Sequence, residues 1–137
     1  MTDAPLTDEA RRAIEADCAR LINCYANLND AGDWAGVAAL YAEDGLMTRP
    51  TAPDAPIIGR DAILAAFLAR PARTTRHLCG NIVIDVESAT TARGASAMLL
   101  FTSATAPPLI GSFNDRFVLT GAGWRFAERR GAITFAP

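Results

Sequence analysis

Hydrophobic positions in the N-terminal part of the chain recur with helical spacing. Between Thr7 and Asp30 the apolar residues Ile14, Cys18, Leu21, Tyr25 and Leu28 step by four, three, four and three, which is one face of an amphipathic helix. Thr7 suits the N-cap, Asp8 and Glu9 complement the positive end of the helix dipole, and Asn29-Asp30-Ala31-Gly32 reads as a stop. Asp33 then caps a short helix expected over 34–41, with Val37, Leu40 and Tyr41 on one face. Residues 42–45 read as a turn into a short strand at 46–49. Three prolines within 50–56 predict a loop, and a third helix is expected over 61–70, ended by Pro71.

From Thr75 the period falls to two. Four long strands are expected, over 76–87, 92–103, 109–120 and 123–135, separated by Ser88-Ala89-Thr90, Ala106-Pro107-Pro108 and Gly121-Ala122-Gly123. Helices first and an antiparallel meander afterwards is the α+β pattern, with N-terminal helices packed on one face of a curved sheet. Strict alternation from His77 puts Cys79, Asn81 and Val83 on its face and Leu78, Ile82, Ile84 and Val86 on the opposite one.

Composition narrows the chemistry. With 137 residues, 50% of them hydrophobic and 20% charged, the chain is expected to fold as one domain over 1–137. All 13 basic residues are arginine and there is one histidine, His77. Without lysine there is no Schiff base and no phosphate-loop lysine, and one histidine excludes a three-His metal site. A net charge of −2 with scattered arginines argues against nucleic acid and anionic membranes as partners. Cys18, Cys24 and Cys79 form no CxxC, so neither a disulfide framework nor a structural zinc is expected. No apolar run approaches 18 residues and no signal peptide is read, which makes the cytoplasm the expected compartment.

Acid–base chemistry therefore centres on His77, since imidazole is the side-chain type suited to general acid–base work. Asp30 ends the first helix, where a carboxylate meets the negative end of the dipole and needs compensation. Spacing alone leaves its pairing with His77 open. Cys79 lies roughly 7 Å from His77 along one strand, beyond hydrogen-bond reach, which argues against a Cys–His nucleophile. Asp115 interrupts an apolar face shared with Phe113, Phe117 and Leu119. If Leu119 pairs with Trp124, it faces Glu128 with Arg130 on the diagonal; whether Arg129 or Arg130 turns inward depends on register.

Four stretches carry a family resemblance: CYANLNDAGDWAGVAALYAEDG (24–45), IGRDAI (58–63), TRHLCGNI (75–82) and GWRFAERR (123–130). In this order they resemble SnoaL-like proteins of the nuclear transport factor 2-like superfamily, which include scytalone dehydratase and dehydrochlorinase relatives. The resemblance implies a cone-shaped, cystatin-like α+β barrel with a strongly curved mixed or antiparallel sheet, a deep apolar pocket and a homodimer. Eliminating members use an Asp at the end of the first helix and a His early on the following long strand, positions that match Asp30 and His77. An arginine on the last strand assists some members, and Arg129 is the nearest match.

The expected activity is then a cofactor-independent lyase or isomerase, of dehydratase, elimination or cyclase type, with no metal. Its expected partner is a small apolar, aromatic or polyketide-like molecule. Tyr25, Trp34, Tyr41, Met47, Phe67, Leu99 and Phe101 are expected around that molecule, with Asn81 or Arg129 on a substrate oxygen. Tyrosines that polarise the substrate in scytalone dehydratase have no counterpart here, since Asn29 stands just before Asp30. The alternative on the same fold is a non-catalytic subunit that binds a small ligand or a partner, with His77 far from Asp30.

Overall fold

The computed structural model describes residues 5–135. Helix α1, Asp8–Ala31, starts where Thr7 accepts a hydrogen bond from the Ala10 amide at 3.0 Å. It ends at Gly32, whose φ of 69° is the left-handed conformation that glycine adopts without steric cost. Helix α2, Trp34–Ala39, is capped by the Asp33 carboxylate, which accepts from the Gly36 amide at 2.9 Å.

Three expectations fail nearby. The second helix does not reach Tyr41, which opens strand β1, Tyr41–Arg49, and is fully buried beside Phe126. Residues 42–45 therefore lie within a strand, where its register against the neighbour is interrupted between Tyr41 and Leu46. The proline-rich segment is likewise no plain loop, because Ala52–Ile58 forms strand β2, paired antiparallel to β1. Pro53 and Pro56 are tolerated because β2 is a sheet edge with one neighbour.

Helix α3, Arg60–Leu68, is followed by β3, Arg76–Val86, β4, Thr91–Phe101, β5, Leu109–Thr120, and β6, Gly123–Ile133. The six strands form one mixed sheet in the order β2-β1-β6-β5-β4-β3, antiparallel throughout except for the parallel pair β1–β6. The helices pack on one face of it, giving the α+β architecture expected.

Tyr25 of α1 is the hub of the core. Its ring meets Tyr41, Phe67, Phe113 and Phe126 edge-on, with centroids 5.8–6.3 Å apart. The opposite sheet face carries a cross-strand row, Leu78, Leu99 and Ile110, of which Leu78 is 54% exposed.

Two irregularities change which side chains point inward. In β3 the pairing slips between Gly80 and Val83, and Asn81 takes a φ of 51°. This bulge resets the alternation, so His77 and Cys79 share the inner face with Ile82, Ile84 and Val86, contrary to strict alternation. Between β5 and β6, Leu119 pairs with Trp124 as expected, but a shift at Arg116/Phe117 sets Asp115 opposite Arg129 and moves Glu128 opposite Arg116. Among the described residues no helix is long and apolar enough to cross a membrane.

Phe126 is fully buried against Tyr25, Tyr41 and Phe117. Phe126→Ala should cost about 3–5 kcal/mol. A urea titration should show a lower midpoint at unchanged slope.

Candidate functional site

Asp30 lies in the last turn of α1, where no basic side chain is present to offset the dipole. Compensation comes from the start of β3. The carboxylate accepts hydrogen bonds from Thr75 Oγ1 at 2.9 Å and the His77 amide at 2.8 Å, and His77 Nδ1 lies 2.6 Å from its Oδ1. Arg76 adds a looser contact at 3.8 Å. The Asp30 side chain is 6% exposed and that of His77 15%. Burial opposes ionisation of Asp30, but the hydrogen bonds from His77 and Thr75 outweigh it and hold the carboxyl below its usual range. An ionised Asp30 accepts from Nδ1–H, which fixes the imidazole tautomer and leaves Nε2 as the basic nitrogen.

His77 stands between two adjoining cavities of about 320 and 300 Å³. The first is apolar in its depth, walled by Tyr25, Met47, Met98, Leu100, Leu109 and Phe113, with His77 and Asn29 at its side. The second includes Asp30, Trp34 and Thr75. The arrangement puts a base held by a carboxylate against an apolar chamber, which suits proton abstraction from an apolar molecule.

Behind the wall lies a buried ion pair. Arg129 is fully buried, its Nη1 donates to Asp115 Oδ2 at 3.1 Å, and its guanidinium lies 3.8 Å from the Phe113 ring centre and 4.5 Å from that of Tyr25. Burial pushes the Asp115 carboxyl up to about 6, with the Arg129 charge opposing the rise. Arg129 Nε and Nη2, Asp115 Oδ1 and Ser96 Oγ have no hydrogen-bond partner among the described residues. Arg130 instead lies exposed against Glu128, which answers the question of which arginine turns inward.

The SnoaL-like domain family matches residues 10–130, most of the chain. The chain belongs to the SnoaL-like family. Solved structures agree on the nuclear transport factor 2-like, cystatin-like fold. An NTF2-like protein from Novosphingobium aromaticivorans superposes with a TM-score of 0.81 at 25% identity, covering 99% of this chain and 94% of that one. A second protein from that organism, provisionally named a scytalone dehydratase, gives 0.78 at 24% identity, over 94% and 89%. The type-3 hexachlorocyclohexane dehydrochlorinase of Novosphingobium barchaimii gives 0.81 at 15% identity, over 94% and 92%. No curated protein matches the chain.

Within this SnoaL-like chain the expected site residues divide. Asp30, His77, Tyr25 and Met47 come together at the cavities, and Trp34 borders the smaller one. Tyr41 and Phe67 are fully buried one layer deeper, Tyr41 edge-on to Tyr25 and Phe67 stacked on Trp34. Arg129 lies behind Phe113 and Tyr25 and does not border either chamber.

Three expected residues lie elsewhere. Leu99 and Phe101 alternate with the inward Met98 and Leu100, so they occupy the far sheet face, and Asn81 is exposed on the β3 bulge. Thr75 was missed although it is two residues before His77 on a strand-like segment, the spacing that places it at the same carboxylate. Arg49, Arg70 and Arg73 were also missed, since they sit beside Pro50 and Pro71 where no periodicity marks an inward face. Among the described residues no cluster of three or more His, Cys, Asp or Glu could hold a metal.

Because its folded pKa is lowered, Asp30 contributes stability that is complete above the unfolded value of 3.8 and is lost as pH falls through the folded value. Asp30→Asn should therefore lower stability by about 1–3 kcal/mol at pH 7. Urea midpoints of the two proteins should converge as the pH falls below 3.8.

Proposed function

We propose that this SnoaL-like protein is a cofactor-independent lyase or isomerase that removes a proton from a small apolar, aromatic or polyketide-like substrate. The observation that carries the proposal is the 2.6 Å contact between Asp30 and His77 at the wall of an apolar chamber. His77 Nε2 takes the proton, and Asp30 orients the ring and stabilises the imidazolium that forms. Loss of a β leaving group then completes an elimination; return of the proton to another carbon completes an isomerisation. The apolar walls keep the imidazole away from bulk water during the transfer. Dehydratase and dehydrochlorinase chemistry in the names of structural neighbours supports the same reaction class. The non-catalytic alternative expected His77 far from Asp30, and that is not the arrangement found.

The direct test uses apolar ring ketones with an acidic C–H next to the carbonyl and a β-hydroxyl. Incubated with the protein in D2O and followed by NMR, they should exchange that hydrogen or lose water. His77→Asn keeps an N–H facing Asp30 but removes the base, and should lower the rate about 10²–10⁴-fold with the thermal midpoint nearly unchanged. Equal rates in the variant and the parent protein would refute the assignment.

In this reading the protein works in the cytoplasm as a homodimer built on the outer sheet face. The row Leu78, Leu99 and Ile110 is the apolar surface available for it. Sedimentation equilibrium should give a dimer for the parent chain and a folded monomer for Leu99→Glu; a monomeric parent chain would remove the dimer from the proposal.

A further inference from the structure

The chain carries a net negative charge, yet three of its arginines stand around the larger cavity. Arg49 ends β1, and Arg70 and Arg73 lie on the connection between α3 and β3. Among the described residues none of the three is in a salt bridge with a carboxylate. The nearest acid of the site, Asp30, is already taken by Thr75, His77 and Arg76.

Two of the three guanidinium groups are held in place by something other than an anion. Arg49 donates through Nη2 to the Ala66 carbonyl at 3.0 Å, while its Nε is buried without a partner. Arg70 lies over the Phe67 ring at 4.3 Å and is half-buried. Burial, then the charges of Arg49 and Arg73, lower its pKa, so the three cations share one field. Guanidinium groups stay charged at neutral pH, and gathering three at one mouth is unfavourable unless an anion joins them.

The same cavity has an extensive apolar wall, with Met47, Met98, Leu100, Leu109 and Phe113. The geometry points to an amphipathic acid as the ligand: an apolar ring system in the depth of the cavity, with its carboxylate held by Arg49, Arg70 and Arg73 at the mouth. This rests on the proposed function only in taking the same cavity as the ligand site. It replaces a purely apolar substrate by one with a charged end, and the volume of about 320 Å³ lies at the lower end of small-ligand sites. A carboxylate also suits the fork of a guanidinium, which donates two parallel hydrogen bonds. The rim arginines bind and orient the acid end; His77 remains the group beside its apolar body.

The test compares two probes of the same shape, 2-naphthoate and the neutral 2-naphthamide, by titration calorimetry. The acid should bind at least about tenfold more tightly than the amide in low salt, and the gap should narrow as salt is added. Arg73→Met, at an exposed position, should reduce the gap, and Arg70→Met, which keeps packing on Phe67, should reduce it further. Equal affinity of acid and amide for the parent protein would overturn the proposal, as would a gap that neither variant changes. His77→Asn should keep the acid preference. That preference without proton exchange in the parent protein would leave the ligand class standing and remove only the catalytic reading.

Discussion

The carboxylate of Asp30 is the point at which the helical layer is fastened to the edge of the sheet. It closes α1, where the dipole disfavours it, and is stabilised there by donors from Thr75, just before β3, and from His77 near the start of that strand. Without them a buried carboxylate at that helix end would be costly. With them, the backbone of β3 is drawn to the helix, and the His77 ring is turned to the chamber wall in one tautomer. The position of the imidazole, the register at which β3 begins and the ionisation of Asp30 are consequences of a single cluster of hydrogen bonds.

The charges around the chamber are arranged in two layers of different character. Behind the wall Arg129 is matched by Asp115 and covered by aromatic rings, so its charge is largely spent on the protein itself. Around the cavity three arginines form no salt bridge with an acid among the described residues. The difference follows from the fold: β5 and β6 are adjacent strands whose side chains can be placed directly opposite each other, whereas the mouth is built from a strand end and a loop with no facing acidic strand.

Much of the fold was legible in the sequence because it follows from period and capping. The spacing from Ile14 to Leu28, Thr7 and Gly32 define α1, and the alternation after Thr75 defines the four long strands to within a few residues. What alternation cannot show is where it is broken. Asn81 and the shift near Arg116 each invert a parity, and these two breaks decide whether His77 joins the core face and whether Asp115 meets Arg129 or Glu128. Leu99 and Phe101 were expected around the ligand without a reading of the faces of β4, and the structure turns Met98 and Leu100 to the cavity instead. Asp30 and His77 were linked by resemblance to known proteins, since nothing in a separation of 47 residues signals a contact.

The prolines of β2 have a consequence at the scale of the assembled molecule. Strand edges offer unpaired amides and carbonyls to any passing chain, and a six-stranded open sheet has two such edges. On one, Pro53 and Pro56 remove amide donors. On the other, β3 is interrupted by its bulge, and the amide of His77 near its start is already given to Asp30. Both rims of the sheet are thus poor templates for adding a strand. The broad outer face differs from both rims, since any contact there would be made by side chains such as Leu78, Leu99 and Ile110 and would leave the backbone that holds the site undisturbed.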